Sequence, residues 1–492
     1  MGRQNAKDLA PGVPGADEGP VQEREDFLHA AHAHAHWIAK YLESVRDYPV
    51  LPDVRPGELI DRLPASAPEE GESFEQILRD FETDIFPALT LWNHPRFFAW
   101  FANSSTPPSI LAEFFAAALN VNAMLWKASP AATELEEVTL GWLRQWLGLP
   151  EKFFGIIYDT ASVGVMQAIG AAREYVDPTC RTEGMRPGLT VYVSEQTHFS
   201  AERGAMTLGF GQRNVRKIPV DDQFRMRADL LESAIAEDVK AGKRPCCIVA
   251  SVGSTSTSAI DPIPAIADIS ARHDIWLHVD AAYGGAAAIV PEMRDVFEGV
   301  DRAWSVILNP HKSLYVSMDC SVLYTSRPDI LRRASAVSAE VIRTAEDSAV
   351  TNYNEYGVQL GRRFRALKLW YVFRYYGREG IVAMLRETYR LAHVLKSLVA
   401  ADENFELAAP VPFSLVCFRY RASNDANESL LAAVNATGKA FLSHTVLRGQ
   451  FVLRFAIGNF QTNEEDVRET WELIRKTAFE LHEPELATVG RL

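Results

Sequence analysis

The sequence predicts an α/β fold with a mainly parallel sheet, on two observations. Between about residues 93 and 375, short strand-like runs alternate with helical stretches, the pattern of strand–helix–strand units whose sheet is covered on both faces. The chain is also large enough for such a fold, with 492 residues of which 47% are hydrophobic and 23% charged, so it can bury a large core and divide into more than one domain. In an open sheet of this kind ligands gather outside the carboxyl ends of the strands, so the residues just past each run are the informative ones.

Taken in order, residues 1–22 are rich in Gly, Pro and charge and are expected to be a disordered tail. Residues 23–45 turn helical, with Phe27, Ala31, Ile38, Tyr41 and Leu42 near one face. Pro49, Pro52, Pro56 and Pro64 then interrupt the chain. A segment so broken cannot close its own core, so 23–92 is expected to pack on something else, such as a second subunit. The expected strands are 154–158, 190–194, 246–251, 275–280, 305–308 and 321–325, with helices at 163–175 and 262–272, in a large domain over 93–378. After Gly377-Arg378-Glu379-Gly380 come a helical run, two β-rich stretches at 414–420 and 451–457, and a last helix opened by the capping box Thr462-Asn463-Glu464-Glu465. These read as a smaller α+β domain, 379–492.

Composition excludes several function classes. With 50 basic against 64 acidic residues the net charge is -14, which disfavours an electrostatic grip on nucleic acid or an anionic membrane. The five cysteines include one close pair, Cys246 and Cys247, which are adjacent; neither a disulfide framework nor a CxxC metal site follows, and a reducing cytoplasm is expected. No apolar stretch follows Met1, and no segment offers about 18 uninterrupted apolar residues, so neither secretion nor a membrane span is expected. His29, His32, His34 and His36 alternate along a helix and cannot all face one way, so no metal site is expected.

Two residues carry the chemistry. Asp280 ends the apolar run 275–279, and Lys312 follows the next strand in Asn309-Pro310-His311-Lys312. A strand-end lysine in a cleft is partly desolvated, its pKa falls and it becomes a nucleophile toward carbonyls. An acid one strand earlier can hold a pyridine nitrogen protonated. These are the two anchors of pyridoxal phosphate, an amine for its aldehyde and a counter-ion for its ring nitrogen, and Ala281-Ala282 is small where a flat ring must approach the backbone. Asp159-Thr160-Ala161-Ser162 opens a helix after 154–158 and offers N–H groups, hydroxyls and the helix dipole to a phosphate, although Thr and Ser also cap helices in general. His198, past another strand, could stack on the ring and pass a proton near Cα, or be an ordinary histidine. The run Arg362-Arg363-Phe364-Arg365 reads as a helix start making ion pairs within a dimer.

With these residues in place the sequence resembles the pyridoxal-phosphate-dependent group II decarboxylases, in the aromatic-L-amino-acid branch that holds the DOPA, tyrosine and tryptophan decarboxylases. The matching motifs run in order within about 25–478: 92–101 (Trp92-Asn93-His94-Pro95 to Trp100-Phe101), Ala128-Ser129-Pro130-Ala131, His278 to Tyr283, Asn309 to Lys312, Asp319-Cys320-Ser321 and Leu360-Gly361-Arg362-Arg363-Phe364-Arg365. The resemblance implies a fold-type I, aspartate-aminotransferase-like large domain on a seven-stranded sheet, and a homodimer whose N-terminal segment packs on the partner. By that match Lys312 resembles the Schiff-base lysine, Asp280 the pyridinium partner and His198 the ring-stacking histidine. Thr160, Ala161, Ser162, Asn309 and His311 match phosphate and cofactor contacts, Ala282 lies beside the ring's acid, and Thr255 matches a residue beside the ring. Trp100 and Phe101 fall in the stretch that resembles the side-chain pocket; flat apolar walls there, where a glutamate-type pocket needs a cation, point to an aromatic amino acid as the small-molecule substrate. Gly361 leaves room for indole.

One departure matters. The family carries a loop tyrosine that protonates Cα after CO2 leaves, and 336–346 contains no tyrosine; Glu340 falls nearest its place. In relatives without this acid, oxygen can intercept the reaction and yield aldehyde, ammonia and peroxide. Decarboxylation to the amine is the expected function, with Tyr353, Tyr356, Glu340 or His198 supplying the proton. The alternatives are an aromatic aldehyde synthase and another pyridoxal-phosphate lyase on the same fold.

Overall fold

The computed structural model describes residues 21–489 apart from 338 and 339. The expected tail therefore lies outside the described residues, save that Val21 already opens a helix. Chain contacts divide the protein into two units, Met1–Leu91 and Trp92–Leu492.

In the first unit helix Val21–Ser44 is followed by short helices Glu58–Arg62 and Phe74–Asp80. Trp37 stacks on Tyr41 at 5.6 Å and meets Phe81 and Phe86 edge-on, each at 5.2 Å. The proline-broken stretch thus builds a small aromatic cluster of its own, which its punctuation did not suggest, because aromatic side chains reach across irregular backbone.

The second unit holds two sheets. Its strands are β1 Phe97–Phe98, β2 Phe154–Tyr158, β3 Leu189–Ser194, β4 Val215–Ile218, β5 Arg244–Ser251, β6 Trp276–Asp280, β7 Ser305–Leu308, β8 Ser321–Thr325, β9 Phe405–Leu407, β10 Leu415–Tyr420, β11 Phe441–Leu447 and β12 Gln450–Ala456. The larger sheet has the order β2-β8-β7-β6-β5-β3-β4. β8 runs antiparallel to both neighbours and every other pair is parallel, which is the mainly parallel seven-stranded α/β architecture expected. Residues 246–250 in β5 are fully buried, as a strand covered on both faces requires. The unforeseen strand β4 is an edge whose central Arg216 and Lys217 are not buried, so its sequence lacks an apolar signal.

Close packing positions the site. A Cβ at Gly164 would lie 2.2 Å from Ile307 Cδ1, so glycine alone lets helix Ala161–Val176 lie against β7. The smaller sheet has the order β1-β11-β12-β10-β9. β1 pairs parallel with β11, Phe97 opposite Phe441, so residues expected with the larger sheet join the C-terminal one. Next to the boundary expected near 378, the helical run Arg365–Ala401 is two helices that meet at a kink, with Gly377 non-helical at φ 63°.

Two buried histidines make the fold sensitive to acid. Burial pushes the His278 imidazole down to about 4 and that of His311 down to about 3. Both stay neutral in the fold while their unfolded counterparts gain a proton near pH 6.5, so the unfolded state binds more protons and stability is lost as pH falls from about 6.5 toward 4. Asp261, raised to about 6 by burial, works in reverse over about pH 4–6. The two histidines outweigh it, at up to about 1.4 kcal/mol per pH unit each. Tm measured by calorimetry is expected to fall across this window; a flat Tm contradicts the burial of His278 and His311 as neutral groups.

Candidate active site

A cavity of about 230 Å³ is lined by residues at the carboxyl ends of the parallel strands, from Thr160 after β2 to Lys312 after β7. It brings together Thr160, Ala161, Ser162, His198, Thr255, Asp280, Ala282, Asn309, His311 and Lys312. Ser251, Gly253, Ser254 and Tyr283 also line it, four residues that sequence reasoning missed. Gly253 has φ 87°, and a Cβ there would lie 2.8 Å from Gly284 N; two loops interlock at this wall because neither has a side chain there.

Lys312 and Asp280 define the electrostatics. Burial depresses the Lys312 ammonium, Asp280 opposes that shift, and Arg454 adds to it. Asp280 is 8% exposed and accepts one hydrogen bond, from the Ala282 amide at 3.1 Å. Among the described residues the two form no ion pair within 4.0 Å, so opposite charges share a cavity with a gap between them. A flat pyridine ring suits that gap, its aldehyde toward the amine and its nitrogen toward the carboxylate. The residues present therefore fit pyridoxal phosphate.

The neighbours set orientation. His311 Nδ1 accepts from the Cys320 amide at 3.0 Å, which leaves its proton on Nε2. Asn309 Oδ1 accepts from the Ser321 hydroxyl at 2.6 Å. His198 Nδ1 accepts from the Ser200 amide at 3.3 Å and lies 2.8 Å from the Ser200 hydroxyl; burial lowers its pKa, Asp280 opposes, and Lys312 lowers it further. Asp159 accepts from the Thr160 amide at 2.6 Å and from Gln359 at 3.0 Å, which fixes the turn opening helix Ala161–Val176. That turn presents amides and the positive helix end to an anion.

Trp100, Phe101 and Gly361 do not line this cavity. Phe101 is 7% exposed, stacks on Tyr283 with centroids 3.8 Å apart, and has Lys312 Nζ 5.3 Å from its ring centre. Trp100, at φ 45°, is 49% exposed and stacks instead on Trp92 at 5.2 Å. Gly361 is exposed, and a Cβ there would come within 3.9 Å of the Asn122 amide nitrogen.

The arginine run precedes and opens helix Arg365–Ala401 and makes ion pairs. Within this chain Arg362 pairs with Glu136 at 2.7 Å, Arg363 with Glu113 at 2.7 Å and Arg365 with Asp319 at 2.8 Å. Arg454 was also missed. This nearly buried guanidinium donates to Thr255 O at 2.7 Å and Ser443 Oγ at 2.8 Å and lies 5.2 Å over Phe101. A lone charge inside the apolar run 451–457 was the available signal, since buried charges are rare without a task.

Of the four expected proton sources, His198 alone lines the cavity. Glu340 points into solvent beside Arg343. Tyr353 is buried with its ring 4.5 Å under Arg362, and Tyr356 lies in a cluster with Phe154 at 4.7 Å. Ser338 and Ala339 lie outside the described residues, and among the described residues no His, Cys, Asp and Glu side chains group as a metal site.

Comparison with known proteins places the chain among enzymes of one kind. Residues 56–421 match the model of the pyridoxal-dependent decarboxylase conserved domain. The chain is 40% identical over 475 residues to the aromatic-L-amino-acid decarboxylase of Sus scrofa, covering 93% of this chain and 97% of that protein. It is 38% identical over 473 residues to the phenylacetaldehyde synthase of Arabidopsis thaliana, covering 93% and 96%. The crystal structure of Oryza sativa TDC with PLP and tryptamine superposes with a TM-score of 0.90 at 37% identity, covering 93% and 98%.

Proposed function

The chain belongs to the pyridoxal-dependent decarboxylase family and is a pyridoxal-phosphate-dependent carboxy-lyase, and from that premise we propose that it converts an aromatic L-amino acid to its amine and CO2. The observation that carries the proposal is the buried, unpaired couple of Lys312 and Asp280 in one cavity. Bound there, pyridoxal phosphate supplies an aldehyde for amines and a protonated ring that withdraws electrons from Cα. Asp280 holds the ring-nitrogen proton. Lys312 Nζ is the amine that would hold the cofactor's aldehyde. His198, Thr255 and Ala282 line the cavity and would flank the ring. Thr160, Ala161, Ser162, Asn309 and His311 grip the phosphate end. Phe101 stacks on Tyr283 beside the lysine and gives that side of the site an apolar wall, whereas Trp100 and Gly361, which lie off the cavity, are assigned no part in holding the substrate. The relatives named for aromatic substrates support this choice.

The same proposal includes a homodimer and a cytoplasmic location. Leu111, Phe114, Phe115 and Leu119 of helix Pro107–Leu119 are 44–60% exposed, an apolar face that suits a second copy. All five cysteines are free, as in a reducing compartment. No described helix is long and apolar enough to cross a membrane.

A second reading, aldehyde formation, is favoured by one observation: the loop's Glu340 and Val341 are solvent-facing and bring no phenol to the cavity. Incubation with Phe, Tyr, Trp and DOPA in air, assaying CO2, amine, aldehyde and peroxide together, separates the two. Amine equal to CO2 is the expected result. Aldehyde with peroxide, shifted toward amine by Glu340→Tyr or Val341→Tyr, establishes the second reading; no CO2 from any of them refutes both.

A further inference from the structure

A second, much smaller cavity, of about 20 Å³, also touches Lys312. A buried water needs roughly 10–15 Å³ and two to four polar partners, so the space suits one. Besides Lys312, its polar side chains are hydroxyls, from Tyr283, Ser313, Tyr315, Thr388, Tyr389 and Ser414, and Ser313 donates to Tyr283 O at 3.0 Å. The Tyr283 and Ser414 hydroxyls share one hydrogen bond at 2.7 Å. Thr388 donates to Met384 O at 2.9 Å, so Tyr315, 3.1 Å from Thr388 Oγ1, must donate to it and keeps its lone pairs free to accept. The Tyr389 hydroxyl has no protein hydrogen-bond partner among the described residues. Burial pushes the Tyr389 phenol well up, and the neighbouring phenols of Tyr283 and Tyr315 add to this, so three phenols converge on one spot beside the lysine.

We propose that this cavity binds one water molecule, held by Tyr389, Tyr315 and Lys312 Nζ, and that Lys312, resupplied through it, delivers the proton that Cα takes up after CO2 leaves. The step balances: the C–C bond to the carboxyl group breaks, its electron pair stays at Cα, one proton passes from Nζ to Cα, and one proton passes from the water to Nζ and is made good from solvent. The inference rests on the amine-forming reading above. It gives that reading a donor where the described loop residues have none, since burial disfavours the protonated form of His198 and Tyr353, Tyr356 and Glu340 lie off the cavity.

Holoenzyme of the parent, Tyr389→Phe and Thr388→Val is the test. Tyr389→Phe is expected to lower kcat about a hundredfold with KM unchanged, to raise the aldehyde-to-amine ratio in air, and to move the pH midpoint of the bound cofactor's visible absorbance by about one unit. Thr388→Val, which frees the Tyr315 donor while keeping all three phenols, is expected to act in the same direction more weakly. A high-resolution crystal structure should show an ordered water in the parent that is lost in Tyr389→Phe. An amine-forming parent whose variants keep its kcat, product ratio and absorbance midpoint overturns the cavity proposal alone. A parent that yields aldehyde and peroxide without amine overturns the decarboxylation reading and this proposal with it.

Discussion

Lys312→Ala is expected to abolish turnover and the covalent hold on the cofactor while leaving the fold intact. Lys312 is the one amine lining the cavity, so no neighbouring residue can replace the bond it makes to the aldehyde. The loss of acid–base work at Nζ alone is roughly 10²–10⁴-fold, and the loss of the nucleophile multiplies it. The fold is spared because Lys312 makes no side-chain hydrogen bond and no ion pair within 4.0 Å among the described residues; alanine strands no partner there. The check is visible absorbance before and after borohydride, with Tm as the control for folding. Cofactor still fixed to the protein by borohydride would show that another amine does the work.

Asp280→Asn is expected to bind the cofactor yet lose most activity. Removing one partner of a buried charge pair costs about 3–5 kcal/mol, equivalent to roughly 10²–10⁴ in rate where the pair is needed in the transition state. Asparagine keeps the shape and can still accept from the Ala282 amide, so the cofactor's phosphate end and Lys312 retain their hold. A normal dissociation constant for pyridoxal phosphate with a collapsed kcat is the predicted split. A near-parental kcat contradicts the role given to Asp280.

How far the site was legible depended on what each residue borrows from distant chain. Asp280 and Lys312 could be read because each sits at the end of an apolar run, where an acid or amine at a strand terminus is informative by itself. The cofactor grip from Thr160 to Ser162 was readable as a strand-to-helix turn. The distinction between Trp100 and Phe101 was not. The left-handed backbone at Trp100 breaks the alternation that would otherwise have put one of the two on each face, and only the fold brings Phe101 to the lysine. Arg454 stood out as a charge in an apolar run, but what it touches, Thr255 and Ser443, comes from two other segments. The tyrosine cluster was invisible in sequence for the same reason: Tyr315 follows β7, Tyr389 belongs to the long kinked helix, and nothing local ties them. Edge strand β4 and two-residue β1 carry too few apolar residues to announce themselves. Their existence is settled by neighbours, not by their own pattern.

The lone antiparallel strand has a consequence for synthesis. β2, which carries the turn that opens at Thr160, sits at the end of the sheet and pairs with β8 alone, Phe154 opposite Thr325. As the chain leaves the ribosome, β3 to β7 can line up one beside another soon after each appears, yet β2 must wait for a partner made after the lysine itself. A nascent chain halted just after Lys312 would hold Asp280 and Lys312 but no seated turn at Thr160. Closure of the cavity is thereby deferred until β8 is made, and an apolar strand that waits unpaired makes this edge the late step of sheet assembly.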